Sequence, residues 1–182
     1  MRYAHLLIAA ACAATPLAAQ GAAAQSASMP ESYRAVQMRM LKLQRSLLLA
    51  MADSMPASLY RDKVTPVQRD FAQQIHHAAS AVAGITARYM GTPMPSLPDT
   101  AVAFGSRAGL TGFINSAFDY AEGVLKAQTA ASREEVVNFF GQMEIPRWQV
   151  WDEVHQHTLW TAGQIVANFR KHDMAPPGFG FF

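Results

Sequence analysis

Four of the six histidines in this 182-residue chain fall in two stretches with helical periodicity. His76 and His77 lie in the first stretch, and His155 and His157 in the second. Imidazole is a ligand for zinc, nickel, copper or iron, and helical bundles build metal sites from side chains on facing helices. His155 and His157 are two residues apart, about 200° around a helix, so both cannot face one ion. His157 shares its face with Glu153 one turn earlier and Thr161 one turn later. His77 sits on the flank with Gln74 and Ala81, nearer the apolar stripe than His76. A histidine on a helix flank is more commonly exposed or hydrogen-bonded than metal-bound, so spacing alone marks these residues as candidates. Other chemistries leave no trace. The chain has no phosphate-binding Gly loop, no G-x-S-x-G elbow and no H-E-x-x-H. Cys12 is the only cysteine.

The elements that must position these groups are helices. Pro146 to Phe169 reads as a long helix with a broad apolar face: Trp148, Trp151, Leu159, Ala162, Val166 and Phe169, widened by Val150, Val154, Thr161 and Ile165. Pro146 suits its first turn. A first helix is expected from the capping box Ser28-Met-Pro-Glu31 to about Ser54, with Val36, Met40, Leu43, Leu47 and Ala50 facing the core and Leu41 and Leu48 broadening the stripe. A second runs from the box Thr65-Pro-Val-Gln68 to Met90, capped by Gly91. Its stripe is Val67, Phe71, Ile75, Ala78, Val82, Ile85 and Tyr89. Residues 91–104, with three prolines and a glycine, read as a loop. A third helix spans about Ser106 to Thr129, on Leu110, Ile114, Ala117, Ala121, Val124 and Leu125. The box Ser132-Arg-Glu-Glu135 opens a short helix ending at Gly141. The expected fold is all-α: an antiparallel four-helix bundle with one short additional helix.

Hydrophobic residues make up 51% of the chain and charged ones 15%, enough for a packed core. The formal charge is only +2, with Lys and Arg scattered, which argues against nucleic acid as a partner. Arg2, the apolar run Leu6–Ala14 and the small residues before Gln25 have the form of a signal peptide over residues 1–24. That run is too short for a membrane span. The expectation is export to the periplasm or beyond, with residues 25–182 as the helical domain. Anchoring through Cys12 is the weaker alternative.

Taken in order, several segments resemble the DinB-like family of helical bundles, the group that includes bacillithiol transferases. The resemblance covers roughly residues 30–178. Phe71-Ala-Gln-Gln-Ile-His-His77 is similar to the family's second-helix pattern and selects His77. His157-x-x-x-Thr161-x-Gly163-Gln164 is similar to its fourth-helix signature H-x-x-x-H-x-G-Q. Arg170 with Pro176-Pro177, and Ser106-Arg-Ala-Gly-Leu with Phe118-Asp-Tyr120, resemble flanking segments. The resemblance implies a divalent metal held by three histidines. Two of them survive, His77 and His157, and Thr161 stands at the third position. A hydroxyl is a poor substitute for imidazole. A third ligand could come from Glu153, from His155 or His76 after a local shift, or from Asp119 or Glu122. The expectation is a module that binds an unknown small molecule or protein, with a pocket holding zinc or nickel weakly or not at all. The alternative is a metal-dependent transferase or hydrolase using His77, His157 and a substitute ligand. The wide aromatic face of the last helix and the resemblance together suggest a homodimer.

Overall fold

The computed structural model describes residues 31–178 and 180. The expected signal segment, Cys12 and the Ser28 capping box lie outside them. The described chain is mostly helical: α1 (Glu31–Ser54), a short 3-10 turn (Ala57–Leu59), α2 (Phe71–Met90), α3 (Thr100–Gly105), α4 (Arg107–Ala127), α5 (Ala130–Glu134) and α6 (Arg147–Lys171). One small antiparallel hairpin, β1 (Val136–Phe139) and β2 (Met143–Pro146), precedes α6. No helix among the described residues is long and apolar enough to cross a membrane.

The four long helices close into a ring, α1 against α4, α4 against α2, α2 against α6, and α6 against α1. Residue pairs give their directions. On α2 and α6, Phe71 meets Phe169 and Arg147 meets Tyr89, so these helices run oppositely. Arg34 reaches Lys126 while Arg45 reaches Asn115, so α1 and α4 also run oppositely. On α2 and α4, His76 meets Phe113 and Met90 meets Gln128, so this pair runs in the same sense. Helices that reversed at every connection would not do this. The parallel pair needs a crossover, and the nine residues 91–99 can span about 30 Å, the length of a 20-residue helix. The chain is back beside the start of α2 by Phe104, whose ring lies 5.1 Å from that of His76.

Several boundaries differ from those the sequence suggests. Helix α2 starts at Phe71, capped by an Asp70–Gln73 box, and not at Thr65. Thr65 closes a turn instead, accepting from Gln68 N–H at 3.2 Å, and Val67 is 98% exposed. Asp70 outcompetes Thr65 because its buried carboxylate also accepts from Arg61 Nε at 2.8 Å. The supposed loop 91–104 contains most of α3, started by Asp99 accepting from Ala101 N–H. The Ser132–Glu135 box is not formed. Thr129 caps α5 with Ser132 as its reciprocal partner, and the chain then turns into the hairpin. Val136, Val137, Phe139 and Ile145 suit strands, while positive φ at Phe140 (50°) and Gly141 (73°) makes the turn between them.

The core runs along the ring's axis through Leu48, Met55, Phe71, Ile75, Leu110, Ile114, Phe118, Leu125, Trp151, Ile165 and Phe169, all fully buried. Each large apolar side chain so placed contributes roughly 1.5–3 kcal/mol of transfer free energy.

Candidate functional site

Helices α2 and α6 pack at their buried stripes, and on one side they line a cavity of about 680 Å³. Its α2 wall is one helical face, His77, Ala81, Gly84, Ile85 and Arg88, at spacings of four, three, one and three. Its α6 wall is Glu153, Gln156, His157 and Trp160. Phe139 and Phe140 of the hairpin close one end. The volume is in the range of small-molecule sites.

Strained backbone holds the hairpin end. Phe140 adopts φ of 50°, uncommon for a bulky residue. Its N–H donates to the Tyr89 hydroxyl at 2.8 Å, and its ring meets those of Tyr89 and Phe139. The Arg88 guanidinium lies 5.3 Å from the ring centroids of both Tyr89 and Phe140. Below, Arg147 donates to the Tyr89 carbonyl at 2.9 Å and pairs with Glu135 at 2.7 Å, fixing α6 to α2 and to the segment before β1.

At the other end His77 and His157 face each other, ring centroids 5.0 Å apart and planes at 69°. Burial pushes both imidazoles below the ordinary histidine range. The Arg69 guanidinium lowers both further, and His77 is also lowered by His157 and His76. Both rings are therefore neutral at pH 7, the form that donates a lone pair to a metal or accepts a hydrogen bond. His157 Nδ1 is buried without a hydrogen-bond partner.

Of the four residues expected at a metal pocket, His77, His157 and Glu153 line this one cavity. Thr161 is buried and its hydroxyl donates to the His157 carbonyl oxygen at 2.9 Å. The other substitutes are turned elsewhere. His155 is buried against α1, where its Nδ1 accepts from the Gln44 amide. His76 stacks on Phe113, centroids 4.3 Å apart. Asp119 and Glu122 pair with Arg45 at 2.7 and 3.4 Å. No group of three His, Cys, Asp or Glu placed to hold a metal occurs among the described residues. The residues thus offer a pair of facing imidazoles, and they do not fit a closed three-ligand site.

Sequence reasoning missed two features. Arg88 and the Phe139–Phe140 pair carry no motif; Arg88 lies on the α2 face that carries His77, and the hairpin brings Phe139 and Phe140 to the cavity. A second polar cluster lies between α1 and α6. The Tyr33 hydroxyl meets both Asp152 carboxylate oxygens at 2.5 Å, and Gln37 donates to one of them at 2.6 Å. Burial, then the hydrogen bond to Asp152 and its charge, hold the Tyr33 hydroxyl well above the usual phenol range.

No protein-family model, no curated protein and no solved structure matches this chain.

Proposed function

We propose that this chain is a DinB-like four-helix bundle acting as a binding module. It takes a small molecule in the α2/α6 cavity, where the family's metal pocket is reduced to the His77–His157 pair. The observation that carries this reading is the Thr161 hydroxyl, spent on its own helix at the position where the resemblance calls for a third imidazole. The roomy, aromatic-walled cavity beside that pair supports ligand binding independently of any metal.

One observation favours a second reading. Glu153 lines the same cavity one turn from His157, so two imidazoles and a carboxylate share it. A shift of the Glu153 side chain would create a two-His-one-carboxylate set of the kind that supports metal-assisted hydrolysis.

Metal content and zinc or nickel calorimetry on the wild type, Glu153→Gln, His77→Ala and Thr161→His separate the two. Tight stoichiometric binding by the wild type, lost in both His77→Ala and Glu153→Gln, establishes the metal-dependent reading. Weak or no binding by the wild type, with tight binding created by Thr161→His, establishes the disarmed module.

A further inference from the structure

The cavity's layout specifies its ligand, an inference that rests on the small-molecule reading above. Arg88 lies eleven residues beyond His77 on one face of α2, a rise of about 16 Å. The two ends differ in chemistry. At the hairpin end the Arg88 guanidinium lies 5.3 Å from the ring centroids of both Phe140 and Tyr89, and among the described residues it forms no ion pair. A cation held by two aromatic rings with its N–H donors unspent suits a carboxylate. At the other end the imidazoles of His77 and His157 line the cavity.

The middle is shaped for a flat body. Gly84 interrupts the interior of α2 at a cost of roughly 1 kcal/mol in helix propensity relative to alanine. A Cβ there would meet nothing within 4 Å, so no packing neighbour requires the glycine, and its absent side chain enlarges the cavity. Trp160, 74% exposed, and Phe140, 51% exposed, supply aromatic surface at the two ends. Counting residues along the opposed helices from the His77–His157 and Tyr89–Arg147 contacts sets Glu153 near the level of Ala81 and Val82, midway between His77 and Arg88. A carboxylate there repels a second negative charge in the middle of the cavity, which rules against dianions such as phosphate monoesters.

We propose that the α2/α6 cavity binds a planar aromatic monocarboxylate, with its carboxylate on Arg88, its ring over Gly84, and a hydroxyl or amine at the far end beside the His77–His157 pair. The hydroxycinnamates carry a carboxylate, a flat body and a far hydroxyl in this order.

Calorimetry on the purified protein with 4-hydroxycinnamate, cinnamate and methyl 4-hydroxycinnamate tests it. The acid binds. The ester, which removes the charge, and Arg88→Gln each weaken binding at least tenfold, and Arg88→Lys restores part of the loss. Cinnamate, lacking the far hydroxyl, binds several-fold more weakly. Gly84→Phe, which fills the cavity, abolishes binding while circular dichroism and melting temperature show an intact fold. Equal affinity for acid and ester, or an Arg88→Gln protein that binds like the wild type, overturns the inference. So does failure of all three probes to bind. The uncharged dye Nile red then reports on the underlying reading. Dye binding blocked by Gly84→Phe leaves the cavity standing as an apolar site, and no dye binding removes both.

Discussion

Thr161 and His157 sit one turn apart on α6, and the Thr161 hydroxyl donates to the His157 carbonyl oxygen at 2.9 Å. The hydroxyl is thereby satisfied inside its own helix and does not compete for whatever His157 binds. Thr161→His puts a larger ring into a site that is 1% exposed. Overpacking of this kind costs about 1–3 kcal/mol, so the metal-free variant melts below the wild type. Zinc then stabilises the variant selectively, since a ligand at a hundred times its Kd adds about 2.7 kcal/mol. Thermal unfolding with and without zinc checks this. A variant indifferent to zinc means position 161 does not face the His77–His157 pair.

The same histidine pair makes stability pH-dependent. Burial first, and then the Arg69 charge, depress the folded pKa of His77 and His157 below the unfolded value, and burial does the same to His76 and His155. Below the unfolded histidine pKa, near 6.5, the unfolded chain takes up protons that the folded one does not. Stability is complete above that pH and falls as pH drops through the folded values. Urea midpoints at pH 7.5, 6 and 5 decline in the wild type. They decline less steeply in the double variant His77→Gln, His157→Gln, whose side chains do not titrate. Parallel profiles would show that these two rings contribute nothing to the slope.

How far the sequence reveals this molecule depends on which residues break the apolar rule. For α2 the apolar stripe was legible, because Phe71, Ile75, Ala78, Val82, Ile85 and Tyr89 are all apolar and all buried. On α1 the buried series is Gln37, Leu41, Gln44, Leu48, Met51 and Met55. Its two glutamines bond to Asp152 and His155, so a hydrophobic count shifts the stripe by one position onto Val36, Met40 and Leu43. On α6 the buried face includes His155, Thr158, Thr161 and Asn168, which displaces Trp148, Leu159 and Val166 to its edges in the same way. Local patterns cannot reveal polar groups that are buried because a distant helix satisfies them. Glu153 could be placed beside His157, because i, i+4 spacing on a helix is local geometry, while only the family resemblance joins His77 to them. Phe140 could not be placed, since a hairpin turn with positive φ at Phe140 brings it to the site; Arg88 shares the helical face of His77 and carries no motif that marks it.

The Tyr33–Asp152 contact ties the start of α1 to α6 and is a long-range contact that can be tested separately. Tyr33→Phe keeps the ring that meets Trp148 edge-on at 5.8 Å and removes only the hydroxyl. Asp152 retains its bond from Gln37, so the carboxylate is not wholly abandoned. The expected loss is about 1 kcal/mol, the net value of one hydrogen bond, read as a lower urea midpoint. Tyr33→Leu also removes the edge contact and costs more. Equal losses in the two variants would place the contribution in the ring and not in the hydroxyl.

Two glycines on adjacent helices should respond to one substitution with opposite signs. At Gly84 a methyl group meets nothing within 4 Å. Gly84→Ala therefore gains helix propensity without a clash and stabilises by up to about 1 kcal/mol. At Gly109 the same methyl carbon would lie 1.9 Å from the Val102 carbonyl oxygen and 2.8 Å from its carbon. Both atoms are backbone, so no rotamer relieves the overlap. Either α3 moves or α4 does, and Gly109 N–H is also the group that the Ser106 cap accepts from at 3.0 Å. The clash and the disturbed cap together outweigh the propensity gain, and Gly109→Ala loses about 1–3 kcal/mol. Urea denaturation of both variants beside the wild type measures the two signs at once. A Gly109→Ala protein as stable as the wild type would mean that α3 does not lie against the first turn of α4.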